Sequence, residues 1–219
     1  MHTFDSFVWK NGYEKVINLQ GYSDGDSFVD SFHKATSKYK DHIVVHEADL
    51  REYVWPNRGI EFLLVDAMKS FRLADAIHRT FYSALIPGKS VVYLQDISWH
   101  IPEVCFSAFM LRDFFQVLYE VPEACTLFVM NTGEIPSILL NQKVEHFFAD
   151  PKVALEAFKY VRSILNGKRK VYIYGAEMAW FTKVKRKDLA MAAINAVNNM
   201  GYKPHPMPHL VQYCLKRLK

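Results

Sequence analysis

Apolar and polar positions along this chain follow two different periods, and the change from one to the other sets its organisation. Two short runs, Ile60-Glu61-Phe62-Leu63-Leu64-Val65-Asp66 and Val91-Val92-Tyr93-Leu94-Gln95-Asp96, have the length and residue content of buried strands, and each ends on an aspartate. Between them, from Ser70 onward, Leu73, Ala74, Ile77, Phe81 and Leu85 recur at helical spacing, and Pro87-Gly88 supplies a turn. The stretch predicts a strand–helix–strand crossover, which joins parallel neighbours and is nearly always right-handed. Asp66 and Asp96 would then emerge at one carboxyl edge, where open α/β sheets place their ligands.

Upstream, residues 1–10 predict the end of a strand entering a loop, and residues 11–26, rich in Gly, Ser, Asp and Asn, an irregular loop. Ser27 is the expected cap of a helix carrying Phe28, Phe32 and Ala35 on one face, with Asp30 three positions on. A short strand, Ile43-Val44-Val45-His46, runs toward Asp49, and Trp55-Pro56-Asn57-Arg58-Gly59 breaks the chain. Beyond Asp96 the spacing of Phe106, Phe109, Met110, Phe114 and Val117 predicts a helix over 106–118, followed by a strand over 125–130.

From Asp150-Pro151 onward the period is helical throughout, with Val153, Leu155, Phe158, Val161, Ile164 and Leu165 in one segment and Leu189, Ala192, Ile194 and Val197 in another. Residues 171–181 carry both signals: Val-Tyr-Ile-Tyr suits a strand, Ala176 to Phe181 suits a helix, and the segment is read as helix. The expected organisation is an α/β domain over 1–150 and an α-helical extension over 151–219.

Composition narrows the class. Half of the 219 residues are hydrophobic, enough for a sizeable core, and no apolar stretch approaches the roughly 20 residues of a membrane helix. No charged start with an apolar run and a cleavage site is present, so a soluble, cytoplasmic protein is expected, with no membrane partner. Cys105, Cys125 and Cys214 fit neither a disulfide framework nor a thiolate zinc site and are read as buried free thiols. Charge is divided unevenly: residues 1–150 hold 13 Lys/Arg and 20 Asp/Glu, net −7, whereas 151–219 hold 14 and 3, net +11.

Four features in order, Asp5 near a strand end, Asp49 after the next strand, Val65-Asp66-Ala67-Met68-Lys69, and Ile86-Pro87-Gly88 leading to Gln95-Asp96, resemble the class I S-adenosylmethionine-dependent methyltransferases. Within that group the pattern is closest to the metal-dependent O-methyltransferases and their relatives in sugar and natural-product pathways, over about residues 1–135. The resemblance implies a Rossmann-like methyltransferase sheet with S-adenosylmethionine as cofactor, Asp5 holding its ribose and Asp49 lying by its adenine. It also implies Mg²⁺ on Asp66 and Asp96, and Lys69 as a catalytic lysine. Ile97 stands where the family commonly has an Asn ligand, so His100, a backbone group or water would complete the set.

The family's opening strand and glycine-rich turn, where any Cβ would intrude on the cofactor, have no counterpart here. The sheet is therefore expected to be incomplete at the N-terminus. The strand absent is the one between those matching 1–5 and 60–66, so the first two strands would stand apart unless the natural polypeptide is longer, residues 170–174 fill the gap, or a partner chain does.

Each candidate also has a plainer reading. Asp66 and Asp96 suit a hard cation, but strand-end aspartates also cap helices. Lys69 suits proton removal if desolvation or a metal makes it more acidic, and equally an ion pair with Asp66. His100, in a loop past Asp96, suits a ligand or base as well as a surface histidine without a role. The implied activity is methyl transfer to an oxygen of a small polyhydroxylated or sugar-like acceptor. The alternative is a catalytically inactive methyltransferase-like interaction protein using its basic helical tail, with a homo-oligomer as a further possibility. The runs Lys168-Arg169-Lys170 and Lys183 to Lys187 carry no aromatic–basic RNA signature or DNA-binding spacing, so a solvated helix face rather than nucleic acid is expected there.

Overall fold

The computed structural model describes residues 1–13, 21–56, 59–202 and 204–218, and the chain divides into two compact units, Met1–Val54 and Trp55–Lys219. In the first, β1 (His2–Asp5) pairs in parallel with β2 (Val44–Glu47), Thr3 opposite Val45. Between them lies α1 (Val29–Ala35). Phe7 and Trp9 are its buried anchors, and Phe28 and Phe32 pack against Phe7 with ring centroids 5.5 and 5.2 Å away. Phe28, not Ser27, occupies the cap position of α1; the Ser27 hydroxyl donates to Glu47 Oε1 at 3.3 Å and accepts from the Val29 amide at a long 3.4 Å. The loop expected over 11–26 is seen at 11–13 and 21–26, and residues 14–20 lie outside the described residues, as do Asn57 and Arg58 of the predicted break.

The second unit opens with the predicted crossover. β3 (Phe62–Val65) and β4 (Val91–Leu94) are parallel, with Val65 opposite Leu94, and α2 (Phe71–Thr80) connects them. Ser70 caps α2, its hydroxyl accepting from the Leu73 amide at 3.3 Å. Then come α3 (Pro102–Met110), β5 (Phe115–Val121) and β6 (Thr126–Asn131), giving a four-stranded sheet ordered β3-β4-β6-β5 in which β6 runs antiparallel to both neighbours. The helix expected over 106–118 thus ends at Met110, and Val117 belongs to a strand. Arg112 marks the stop: its guanidinium turns back to the Phe109 carbonyl at 2.8 Å, covering a backbone acceptor that a helix end leaves unpaired.

Two short helices, α4 (Ser137–Leu140) and α5 (Val144–Phe147), lead to α6 (Pro151–Ile164), α7 (Lys170–Lys183), α8 (Lys187–Asn199) and α9 (Met207–Arg217). Residues 170–174 form the first turns of α7 and fill no place in a sheet. Asp150 starts α6 by accepting from the Lys152 amide at 2.8 Å, with Pro151 in the first turn, where its missing N–H costs nothing. α7 is apolar on nearly all sides, which fits its place among α3, α6, α8 and α9. The core meets at Phe106, whose ring lies 4.0 Å from Phe148 and 5.0 Å from Trp180. Arg162 and Glu177 form an enclosed ion pair; burial pushes the Glu177 carboxyl up, and the guanidinium opposes that shift.

The architecture is therefore mixed α/β, with a two-stranded sheet in the first unit and a four-stranded sheet in the second. No helix among the described residues is long and apolar enough to cross a membrane.

His78 on α2 is fully buried, its Nε2 2.7 Å from the Ser107 hydroxyl and its ring stacked on Tyr82. Burial pushes its pKa down to about 4, against the pull of Asp75 and with help from Arg79. The imidazole is neutral in the fold but takes a proton in the unfolded chain near pH 6.5, so stability falls as pH drops from 6.5 toward 4. Urea unfolding at pH 5 should show this group costing about 2 kcal/mol relative to pH 7, and His78→Gln should flatten that slope.

Candidate functional site

The carboxyl edge of the parallel pair gathers most of the sequence-predicted residues. The ladder continues past β4, where the Gln95 amide donates to the Val65 carbonyl at 3.0 Å, so Asp66 and Asp96 leave neighbouring strands within one residue of the same register. Asp96 then adopts a left-handed backbone, φ +61°, a conformation Asp tolerates better than most residues. The Trp99 amide closes this turn on the Asp96 carbonyl at 3.1 Å. Lys69 sits one residue before the cap of α2, and its ammonium reaches both carboxylates: Asp66 Oδ1 at 2.9 Å, and Asp96 Oδ2 in a closer contact. The Asp66 side chain is 59 % exposed and that of Asp96 19 %, so Asp96 is the more enclosed of the pair.

Electrostatics assign Lys69 a state. Burial alone would lower its pKa, but the bonds to Asp96 and Asp66 and their charges outweigh burial and raise it. The ammonium is thus a firm cation here rather than the acidified lysine that a base requires. His100 behaves in the opposite way: burial pushes its pKa down, Asp96 only partly compensates, and the ring is neutral at pH 7. Its Nδ1 is buried and has no hydrogen-bond partner.

The C-terminal helices hold the His100 loop. Trp99 packs on Tyr172 of α7 at 4.7 Å and joins the apolar cluster of α7, α8 and α9. Gly175, in the middle of α7, permits the approach: a Cβ there would come within 3.1 Å of His100 Cβ and 2.6 Å of Met207 Cε.

The two residues expected at the cofactor lie in the first unit and are already engaged. Asp5 ends β1 and accepts from the Phe7 amide at 2.7 Å. Asp49 follows β2 and is bound by the Arg51 guanidinium, which holds its pKa down at about 2. Both face solvent.

The basic runs are partly neutralised within the fold. Lys183 pairs with Glu145 at 2.7 Å and lies over the Phe71 ring, and Arg186 pairs with Asp188.

Arg169, Cys125 and Ser98 were not singled out by the sequence as site residues, yet they adjoin this edge. Cys125 is half-buried rather than buried, has φ +56°, and is contacted by the Arg169 guanidinium, which also donates to the Glu123 carbonyl at 3.0 Å. Gln95 Nε2 donates to the Ala124 carbonyl at 3.2 Å, fixing this turn beside Asp96. No local sequence signal marks the three, because a connection between β5 and β6 and a helix start 44 residues later meet only in the fold.

Among the described residues no three His, Cys, Asp or Glu side chains converge as a metal cage. Two carboxylates on one edge still suit Mg²⁺ in kind, since that ion commonly takes one or two carboxylates and keeps several waters. No protein-family model matches the chain, and comparison with curated proteins and with solved structures finds no similar one.

Gly175→Ala tests how far α7 shapes this loop. The gain in helix propensity, up to about 1 kcal/mol, should be outweighed by overpacking of about 1–3 kcal/mol, because the His100 backbone side gives less readily than the Met207 tip. Thermal unfolding should show net destabilisation of roughly 1 kcal/mol, accompanied by a shifted His100 imidazole resonance.

Proposed function

We propose that this chain transfers a methyl group from S-adenosylmethionine to an oxygen of a small polyhydroxylated or sugar-like acceptor. The observation that carries the reading is the convergence of Asp66 and Asp96 on one cation at the carboxyl ends of adjacent parallel strands. Strand order supports it too. β3 and β4 are adjacent and parallel, and open α/β sheets bind their ligands beyond the carboxyl ends of such strands.

The residues divide the work by charge. Asp66 and Asp96 would hold Mg²⁺, with the more enclosed Asp96 the firmer ligand, and the ion would supply Lewis-acid polarisation of acceptor hydroxyls. His100, neutral and adjoining Asp96, is the group suited to receive the hydroxyl proton. Lys69 balances the two carboxylates and keeps them on one side of the edge. Asp5 and Asp49, in the first unit, are acceptors of the kind that suits the hydroxyl and amino groups of S-adenosylmethionine, although each already accepts from the protein, and the sulfonium of that cofactor supplies an electrophilic methyl group. A glycine-rich turn after a strand is not among the described residues.

Isothermal titration with Mg²⁺ and with S-adenosylmethionine is the direct test. Binding of both is expected, with Asp96→Asn weakening Mg²⁺ at least roughly tenfold and Asp66→Asn less; no heat from either ligand defeats the enzymatic reading. Where turnover is measured, the His100 assignment sets the pH profile. The rate should be flat from about pH 7 upward and fall only below about pH 6.5, where the imidazole takes up a proton, whereas a rise continuing through about pH 10 would assign the base to Lys69 instead.

A further inference from the structure

The turn between β5 and β6 and the start of α7 bring a second cation to the edge that carries Asp66 and Asp96, and its geometry differs from that of Lys69. Arg169 is held from behind: one terminal nitrogen donates to Glu123 O at 3.0 Å and the other contacts the Cys125 sulfur. These are neutral acceptors, and among the described residues no carboxylate lies within ion-pair distance of Arg169. The other enclosed guanidinium of the helical region, Arg162, is matched by Glu177. A guanidinium carries five donors in a planar fork, so Arg169 keeps both unspent donors and unspent charge.

Its surroundings add to this. Tyr172 places its ring 5.8 Å from the guanidinium, and the Asp96 charge reaches the Cys125 thiol that Arg169 touches. Beside that thiol lies the fully buried Ser98 hydroxyl, turned toward Cys125, and two residues on, His100 Nδ1 is buried with no hydrogen-bond partner among the described residues. Leaving a buried polar group unpaired costs about 1–3 kcal/mol, so this turn holds polar capacity that its own folding does not use. Asp66 and Asp96 pair with Lys69 and leave Arg169 unmatched, so an added divalent ion would make the edge attractive to an anion.

We propose that Arg169 is an anchoring residue for an oxyanionic group, carboxylate or phosphate, on the molecule that binds at the Asp66–Asp96 edge, which makes the acceptor a sugar acid or sugar phosphate rather than a neutral polyol. The inference rests on reading that edge as the acceptor side. A planar guanidinium fork matches both oxyanions in two parallel hydrogen bonds, which fixes the orientation of the ligand as well as adding affinity.

Binding of glucose, glucuronate and glucose 6-phosphate to the full chain, with Mg²⁺ present, tests it. At least one anionic sugar should bind roughly tenfold tighter than glucose, and which one identifies the oxyanion. Arg169→Gln should erase that preference while leaving glucose binding unchanged, and Arg169→Lys should retain part of it, with thermal midpoints confirming that both variants fold. Equal binding of all three sugars to the wild type, or an anion preference that survives Arg169→Gln, overturns the assignment while leaving the Asp66–Asp96 reading standing. If no sugar binds, the Arg169 Nε–H resonance titrated with inorganic phosphate separates the two ideas. A saturable shift keeps the anion site and removes the acceptor reading; no shift removes the anion site.

Discussion

The parallel register of β3 on β4 is the constraint from which the rest of the second unit follows. Neighbouring strands lie roughly 4.8 Å apart, so two aspartates leaving them at nearly the same level are brought close enough to repel. A cation between them relieves that repulsion, and Lys69 provides one because α2 begins immediately afterward, on the same edge. The left-handed turn at Asp96 then sends the chain back over the sheet edge, which carries Trp99 and His100 toward α7. Pairing, charge compensation and loop direction are thus one arrangement.

The helices from Pro151 onward contribute to the site as well as to the core. α7 has no polar stripe because helices surround it, and it meets the His100 loop through the Tyr172 ring on Trp99 and through Gly175, whose missing side chain leaves room for His100. Arg169, at its start, reaches the β5–β6 turn from the same side. One helix therefore sets two walls: the histidine face through a missing Cβ, and the guanidinium face through a long side chain pinned at its tip.

How much was legible in the sequence depended on whether the period was unambiguous. The strand–helix–strand order over 60–96 could be read, since β3, α2 and β4 each show one clear pattern, although the apolar spacing runs on to Leu85 while α2 ends at Thr80. The segment over 106–118 was read as too long a helix because Phe114 and Val117 fall on a helical face and also suit a strand; the polar pair Arg112-Asp113 was the only mark of the break. α7 was read correctly despite its strand-like Val-Tyr-Ile-Tyr start, since the Ala176–Phe181 run that follows, rich in helix formers, outweighs it. At the site, the paired aspartates and Lys69 were legible because they lie close to one crossover. Arg169 and Cys125 were not, because their meeting is a long-range contact with no periodic trace. The firm cationic state of Lys69 was hidden for a related reason: it depends on both carboxylates arriving together.

The difference between the two aspartates follows from where their strands lie. β3 is the outer strand of its sheet, and Phe62 and Leu64 on it are each 57 % exposed, whereas β4 is flanked on both sides. Parallel strands ordinarily have both faces covered, and an edge strand with exposed large apolar side chains is costly to leave bare. The same exposure extends to Asp66, which sees solvent over most of its side chain, while Asp96 is screened by the loop that Trp99 anchors. Any ligand entering this edge therefore meets Asp66 while it is still hydrated and Asp96 only after losing water. Electrostatic interactions strengthen as water is excluded, so a charge placed beside the inner carboxylate interacts with it more strongly than one placed beside Asp66.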